Sequence, residues 1–366
     1  MKFSLYNIIC EYEHEFLLYN TYSTAFIKVP QIRWNEIEAV INDGKPIAQH
    51  LKELVERLCK NGFIVPKDAD EVKEIEYRFY SKMFSDSSLN LSIAPTMKCN
   101  FNCFYCFEEG NKNFGLMPVD IADNLVQYIS SQRGKAVNIH WFGGEPLLGF
   151  KQILHISRRL NEKDVNYTST IITNGSLLSK RNIVCLKELK LQYIQISLDG
   201  KAEEHDKRRT FKNGKPTFQL IINNLRNLME MTDIKVCIHV TVDHSNETAY
   251  KDVVDYMLIH FKKYIDSKRI TIGHNYVLNR TNFDTEGSRF TPSQILNDEI
   301  NALRGKSGTT NKVALPGLSS PCMFRCRNSY AIDSLGNIYQ CLEHLGNPSY
   351  KIGSLKDGKI SMKKNN

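Results

Sequence analysis

Three cysteines, Cys99, Cys103 and Cys106, recur at C-x3-C-x2-C spacing in Lys98-Cys99-Asn100-Phe101-Asn102-Cys103-Phe104-Tyr105-Cys106. Thiolates this close together imply a soft metal centre. A structural zinc site takes four ligands, usually as two C-x2-C pairs or with histidine partners, and the next candidate, His140, falls on a different predicted strand. An iron–sulfur cube held by three cysteines leaves one iron without a protein ligand. That is unsuited to simple electron transfer but suits binding and reducing a substrate at the open iron, so iron–sulfur is the stronger reading and zinc the weaker.

The chain has ten cysteines in 366 residues. Its first residues carry Glu11, Glu13 and Glu15 where a signal peptide would be apolar, so a cytoplasmic location is expected and a disulfide framework is not. Cys322, Cys326 and Cys341 surround Ser334-Leu335-Gly336-Asn337, which reads as a hairpin turn between strands at 330–332 and 337–340 that brings the flanking cysteines together. Cys10, Cys59, Cys185 and Cys237 stand singly on apolar faces, where packing as small hydrophobes is expected.

Further polar motifs follow predicted strands. In Gly143-Gly144-Glu145-Pro146 two glycines let the backbone approach a ligand closely, and Glu145 with the freed carbonyls can accept hydrogen bonds from an ammonium; alone, the motif is an ordinary strand-to-helix turn. Thr173-Asn174-Gly175 is a similar turn. Ser197-Leu198-Asp199-Gly200 leads to His205-Asp206-Lys207-Arg208-Arg209, where Asp199 and Arg209 either close the rim as a salt bridge or contact a ligand. Asn246, three residues past Asp243, either faces the same rim or caps the next helix. His140 and Trp141 read as core or rim residues, with a substrate role open for His140.

Together these motifs resemble those of the radical S-adenosylmethionine enzymes, whose cluster loop is C-x3-C-x-aromatic-C with Tyr105 here as the aromatic. The resemblance is strongest over residues 91–209. It implies a 4Fe-4S cluster on Cys99, Cys103 and Cys106, and S-adenosylmethionine bound by Tyr105, Gly143, Gly144, Glu145, Pro146, Asn174, Ser197, Asp199 and Arg209. Ser197 would contact the ribose or methionine part, and Arg209 a carboxylate, either the cofactor's or a structural Asp. On the fifth strand, relatives usually place an arginine where this chain has His239. The segment from Cys322 resembles the opening of the SPASM extension, which holds auxiliary iron–sulfur clusters; Cys322, Cys326 and Cys341 would serve one such site, whose fourth ligand is not apparent. A complete extension has more cysteines downstream, so the expectation is a truncated or variant form. Residues 1–66 resemble the N-terminal segment of SPASM peptide maturases.

The elements that must position these residues are legible as period-two apolar runs alternating with amphipathic stretches, the order of a parallel α/β sheet or barrel. Strands are expected at 91–94, 137–142, 170–173, 193–198, 236–242 and 270–272, and helices at 119–131, 150–160, 180–189 and 218–229. Right-handed crossovers bring the strands' C-terminal ends to one rim, where the motifs lie. The fold expected by resemblance is a partial (β/α)6 barrel with a small N-terminal α+β, winged-helix-like module and a short C-terminal SPASM/twitch-like segment. In the module, strands are expected at 5–12, 16–21, 25–29 and 63–65, with helices at 34–41 and 50–59. Residues 67–76, dense in acids and lysines, read as a solvated linker. The domain expectation is a module and linker over 1–85, a barrel over 86–310 and an auxiliary region over 311–366.

Composition bounds the rest. The hydrophobic fraction of 42% and charged fraction of 24% describe a globular chain, and no apolar run approaches the ~20 residues that cross a bilayer. The net charge of +8 divides into 11 basic against 14 acidic residues over 1–86 and, by difference from 48 and 40, 37 against 26 over the remainder. No basic–aromatic patch suggests nucleic acid or membrane as a partner. The resemblance implies a peptide maturase that cleaves S-adenosylmethionine to a 5′-deoxyadenosyl radical and uses it to form a thioether or carbon–carbon link in a ribosomally made precursor peptide. The N-terminal module would grip the leader or only brace the barrel, with leader recognition favoured, and a ferredoxin or flavodoxin would supply the electron. Formylglycine formation on a sulfatase and a non-catalytic peptide-binding protein with a degenerate barrel are the alternatives; the intact cysteine triad speaks against the second.

Overall fold

A computed structural model describes residues 1–106, 108, 110, 115–276 and 321–363. Contacts divide the chain into two units, with a boundary after Phe84.

In the first unit, strands β1 (Lys2–Phe3), β2 (Asn7–Tyr12), β3 (Glu15–Asn20) and β4 (Phe26–Pro30) precede helices α1 (Gln31–Asn42) and α2 (Lys52–Lys60), strand β5 (Ile64–Val65) and helix α3 (Glu71–Met83). β2, β3 and β4 form an antiparallel sheet, and β1 pairs with β5. Leu18, Val29, Trp34, Ile37, Leu58 and Phe63 form its core. Helix α3 occupies most of the segment expected to be a linker. Asp70 caps it by accepting the Lys73 N–H, and its first residue, Glu71, is buried with a carboxylate that accepts the Ser4 hydroxyl at 2.5 Å and the Leu5 N–H at 3.0 Å. The expectation that Cys10 and Cys59 are buried also fails. β2 is an edge strand with one mostly exposed run, and Cys59 lies beside Leu58, whose side of α2 takes the core.

The second unit is built on β6 (Ser88–Ile93), α4 (Val119–Ser131), β7 (Ala136–Trp141), α5 (Phe150–Glu162), β8 (Tyr167–Thr173), α6 (Lys180–Cys185), β9 (Leu191–Ser197), α7 (Ala202–Arg208), α8 (Phe218–Met231), β10 (Lys235–Val242), α9 (Ala249–Asp266) and β11 (Ile270–Tyr276). Strands β6 to β11 pair in parallel, each with the next. This is the mixed α/β architecture with a parallel-sheet core expected from the alternating pattern.

The alternation also sorts the two faces. In β7, Val137, Ile139 and Trp141 are buried, and in β10, Val236, Ile238, Val240 and Val242 are; with Leu125, Ile153, Ile221 and Leu225 from the helices they form the main core. Each such side chain contributes roughly 1.5–3 kcal/mol on burial. The intervening residues, Asn138 and His140 in β7 and Cys237, His239 and Thr241 in β10, are only half-buried. This second face is polar and hydrogen-bonded across strands. Thr168 donates to Asn138 at 3.0 Å, Asn138 to Asn90 at 2.9 Å, and Asn90 to Ser329 at 3.3 Å.

The C-terminal strands β12 (Ser329–Ile332), β13 (Asn337–Tyr339), β14 (Gly353–Lys356) and β15 (Lys359–Met362) continue the same sheet, with β12 parallel to β6. The expected hairpin joins β12 to β13. Buried Asp333 holds its turn by accepting the Leu335 and Asn337 N–H groups at 2.9 Å and the Tyr339 hydroxyl at 3.0 Å. Residues 311–320 of the region expected to carry an auxiliary site lie outside the described residues.

Candidate active site

The loop after β6 carries Cys99, Cys103 and Cys106, all half-buried. It is tied on three sides. The Glu145 N–H donates to Lys98 O at 3.0 Å, Asn100 donates through its amide to Ser176 Oγ at 2.9 Å, and Asn102 N–H donates to Thr210 O at 2.9 Å. Phe101 is buried edge-on against Phe211. Elements following β7, β8 and β9 thus converge on one loop, so the parallel topology determines where the cysteines sit.

Around Cys99, the Phe101 N–H points at the sulfur from 3.4 Å and the Asn174 amide from 4.0 Å. Burial pushes the Cys99 thiol up to about 12, with Glu145, Cys103 and Cys106 adding to the shift and the Phe101 N–H opposing it. Among the described residues no three Cys, His, Asp or Glu side chains close on a single ion. A four-iron cube takes each thiolate at a different corner and does not require that. Three thiols on one anchored loop, one facing N–H donors, is a donor set that fits such a cube.

The glycines of Gly143-Gly144-Glu145-Pro146 let two stretches of backbone pack closely. A Cβ on Gly143 would lie 2.5 Å from Thr96 O and 2.8 Å from Ala94 Cβ, and one on Gly144 would lie 2.5 Å from both Met97 O and Lys98 O. What approaches these glycines at their Cβ positions is the backbone that leads into the cysteine loop. Gly143 also adopts φ +110°, a conformation that disfavours side chains. The Glu145 carboxylate is likewise occupied: fully buried, it accepts Thr173 Oγ1 at 2.7 Å, the Asn174 N–H at 2.8 Å and the Leu147 N–H at 3.0 Å. Burial raises this carboxyl, and the three donors act against that shift. Glu145 joins the ends of β7 and β8, with two of these donors on Oε1 and one on Oε2. Buried Pro146 opens the short 3-10 helix Pro146–Gly149 that leads into α5.

Tyr105 points into a buried network. Its hydroxyl donates to Asp199 and accepts from Arg209. Asp199 lies 3.5 Å from Arg209 and 3.7 Å from Arg208, so a structural Asp stands beside both arginines. Burial opposes the charge on Arg209, but Tyr105, Asp199 and Cys103 outweigh it and hold the proton.

The larger surprise is Arg208, which motif reasoning passed over. It is almost fully buried, binds both Asp243 oxygens at 2.9 and 3.1 Å, and reaches Ser245 Oγ at 2.6 Å. The available signal was the doublet Arg208-Arg209. Helix α7 ends between them, and the non-helical backbone of Arg209 (φ −129°, ψ 67°) lets both side chains turn toward Tyr105.

Asn246 is not the cap of α9; its side chain accepts the Asp243 N–H at 2.7 Å and donates to Asp199 O at 3.1 Å and Thr241 O at 2.9 Å. Ser197 ends β9 and pairs with His239, three residues before the end of β10. His140 bonds Thr170 Oγ1 through Nδ1 at 2.8 Å and lines a polar cavity of about 260 Å3 with Asn90, Asn138, Thr168 and Gln192. Cys326 Sγ contacts Cys322 O at 3.6 Å, and Cys341 follows β13.

Residues 93–257 match the model of the radical SAM superfamily. The cysteine-type anaerobic sulfatase-maturating enzyme of Clostridium novyi (strain NT) is 25% identical over 307 residues, covering 75% of this chain and 78% of that enzyme. Among solved structures, native anSMEcpe with bound AdoMet and Cp18Cys peptide superposes with a TM-score of 0.56 at 21% identity, over 74% of this chain and 78% of the other. Streptococcus suis SuiB bound to precursor peptide SuiA superposes with a TM-score of 0.50 at 15% identity, over 96% of this chain and 85% of the other.

Proposed function

The chain carries a radical SAM domain and is an enzyme related to sulfatase maturases and peptide modifiers, and from that premise we propose that it is a maturase of a ribosomally made peptide, to which it adds a thioether or carbon–carbon link. Its cofactors are a 4Fe-4S cluster and S-adenosylmethionine. When bound, they supply one chemistry: an electron delivered to the sulfonium yields methionine and a 5′-deoxyadenosyl radical, which takes a hydrogen atom from the substrate.

This chain's residues hold and orient. Cys99, Cys103 and Cys106 hold the cluster, and the Phe101 N–H and Asn174 amide orient Cys99. Glu145 fixes the turns after β7 and β8 around them. The nucleotide site lies along the rim with Tyr105, the 143–146 backbone, Asn174 and Ser197, and the target residue faces the polar wall of Asn90, Asn138 and His140. In this reading residues 1–85 recognise the leader, residues 86–310 form the barrel, and residues 311–366 hold an auxiliary cluster on Cys322, Cys326 and Cys341. The electron comes from a ferredoxin or flavodoxin, drawn to the basic body of the chain. Among the described residues no helix is long and apolar enough to cross a membrane.

The observation that carries the peptide reading is the extent of the likeness to SuiB. It leaves out only 4% of this chain, by difference from 96%, and so takes in most of residues 1–84 as well as the barrel. Anaerobic reconstitution with iron and sulfide, then dithionite and S-adenosylmethionine, is expected to yield 5′-deoxyadenosine. A yield no greater than that of the Cys99→Ala, Cys103→Ala, Cys106→Ala variant would defeat the enzyme reading. With a candidate precursor peptide, crosslinking is read as a mass loss of two hydrogens that depends on an intact leader.

A second reading, formylglycine formation, is favoured by the sequence identity to the sulfatase-maturating enzyme. Its mark is an aldehyde in a leaderless Cys- or Ser-containing sulfatase peptide, trapped with a hydrazine.

A further inference from the structure

Phe104 and Tyr105 are the two residues between Cys103 and Cys106, and their rings lie beside buried Arg208 and half-buried Arg209. The Arg208 guanidinium carbon is 5.1 Å from the Phe104 ring centre and 5.0 Å from that of Tyr105, and Arg209 is 5.9 Å from Tyr105. The two arginines are not equally neutralised. Arg208 has a bidentate partner in Asp243 at 2.9 and 3.1 Å. Arg209 has Asp199 at 3.5 Å, a carboxylate it shares with Arg208 and with the Tyr105 hydroxyl. The hydroxyl bridges the pair, accepting from Arg209 and donating to Asp199, so Tyr105 fixes where the charge of Arg209 stands.

A cube held by three thiolates carries one net negative charge when oxidised and two when it has taken an electron from a low-potential donor. A fixed cation close by stabilises the reduced form more than the oxidised one, and does so strongly where water is excluded. Arginine is suited to this because it stays protonated at any working pH.

We propose that Arg209, anchored on the hydroxyl of Tyr105, is a positioning residue for electron delivery: its charge beside the Cys103–Cys106 turn raises the reduction potential of the cluster bound there, and Asp199 limits that rise. The inference rests on the assignment of Cys99, Cys103 and Cys106 as cluster ligands.

The test is an EPR-monitored redox titration of the reconstituted full chain without S-adenosylmethionine, with iron and sulfide measured on each sample. Arg209→Gln is expected to cut the reduced-to-oxidised ratio at the wild-type midpoint about tenfold, a shift of about 59 mV to lower potential for one electron. Arg209→Lys should recover most of that, and Tyr105→Phe should move the midpoint the same way by less. Asp199→Asn, which removes the counter-charge, should move it upward. An unmoved midpoint in Arg209→Gln, or a Lys variant displaced as far as the Gln variant, overturns the proposal. Should Arg209→Gln fail to hold a cluster, Tyr105→Phe and Asp199→Asn decide, and shifts of the same sign in both overturn it. Wild-type chain without iron would overturn the ligand assignment and this inference together; normal iron with unmoved midpoints overturns this inference alone.

Discussion

The carboxylate of Glu145 accepts the backbone N–H of Asn174 at 2.8 Å, and the side-chain amide of the same Asn174 points at the Cys99 sulfur from 4.0 Å. A residue expected to bind a ligand thus positions a cysteine. Replacing Glu145 with Gln keeps the shape but sets an NH2 group against at least one of the donors supplied by Asn174, Thr173 and Leu147. The buried clash and lost charge-assisted bond are expected to cost about 2–3 kcal/mol. Urea unfolding of the metal-free chain measures the loss, and the iron bound per chain after reconstitution should fall with it.

Gly144 makes the same junction depend on space. Its Cβ position lies 2.5 Å from two backbone oxygens, those of Met97 and Lys98, which cannot rotate away as a side chain can. Gly144→Ala is therefore expected to displace the start of the cysteine loop, at a cost of about 3 kcal/mol. Gly273, with nothing among the described residues within 4 Å of its Cβ position, is the control; Gly273→Ala should change stability by no more than about 0.5 kcal/mol. Equal destabilisation in the two variants would show that crowding at Gly144 is not what matters.

Arg208 and Arg159 both form ion pairs, yet different outcomes are expected. Arg208 is 1% exposed beside Asp243 and Asp199, whereas Arg159 is 50% exposed beside Glu162. Arg208→Met leaves two carboxylates buried with less counter-charge and should cost about 3–5 kcal/mol. Arg159→Met should leave the denaturation midpoint almost unchanged, since solvent screens that pair. Near-equal losses in the two variants would contradict the geometry.

These sites show where sequence reading succeeds and where it stops. The six parallel strands were legible because β-branched residues recur every second position, as at Val236, Ile238, Val240 and Val242, a pattern set by burial on one face. The placement of motifs after strands follows from parallel connectivity alone. Helix α3 was hidden because its charges resemble a solvated linker; what orders it is a distant contact, Glu71 to Ser4 and Leu5. The packing roles of Gly143, Gly144 and Glu145 were hidden for a related reason. A glycine that admits a ligand and one that admits another loop look alike until the chain folds. Arg208 could not be told from Arg209 without knowing that α7 ends between them.

His205 ties stability to pH through the same wall of the site. It is fully buried, its Nδ1 accepts the Asp199 N–H at 3.2 Å, and its Nε2 therefore carries the proton and donates to Thr217 Oγ1 at 3.1 Å. Thr217 passes the direction on, donating to Arg209 O at 2.5 Å. A charged ring would turn a second N–H against the Asp199 N–H, and burial lowers the His205 pKa to about 4, with nearby Asp199 opposing the shift and Arg209 reinforcing it. The unfolded chain takes up this proton near pH 6.5, whereas the folded chain resists it down to about 4. Folding is therefore unaffected by this group above pH 6.5 and loses stability as the pH falls from 6.5 toward 4, by about 3 kcal/mol in all. His205→Gln removes the titration, so the wild type should lose more stability than the variant across that interval in parallel urea unfolding of the metal-free chain. If the two fall in parallel, His205 is not held neutral and the hydrogen-bond direction from Asp199 through Thr217 to Arg209 is wrong.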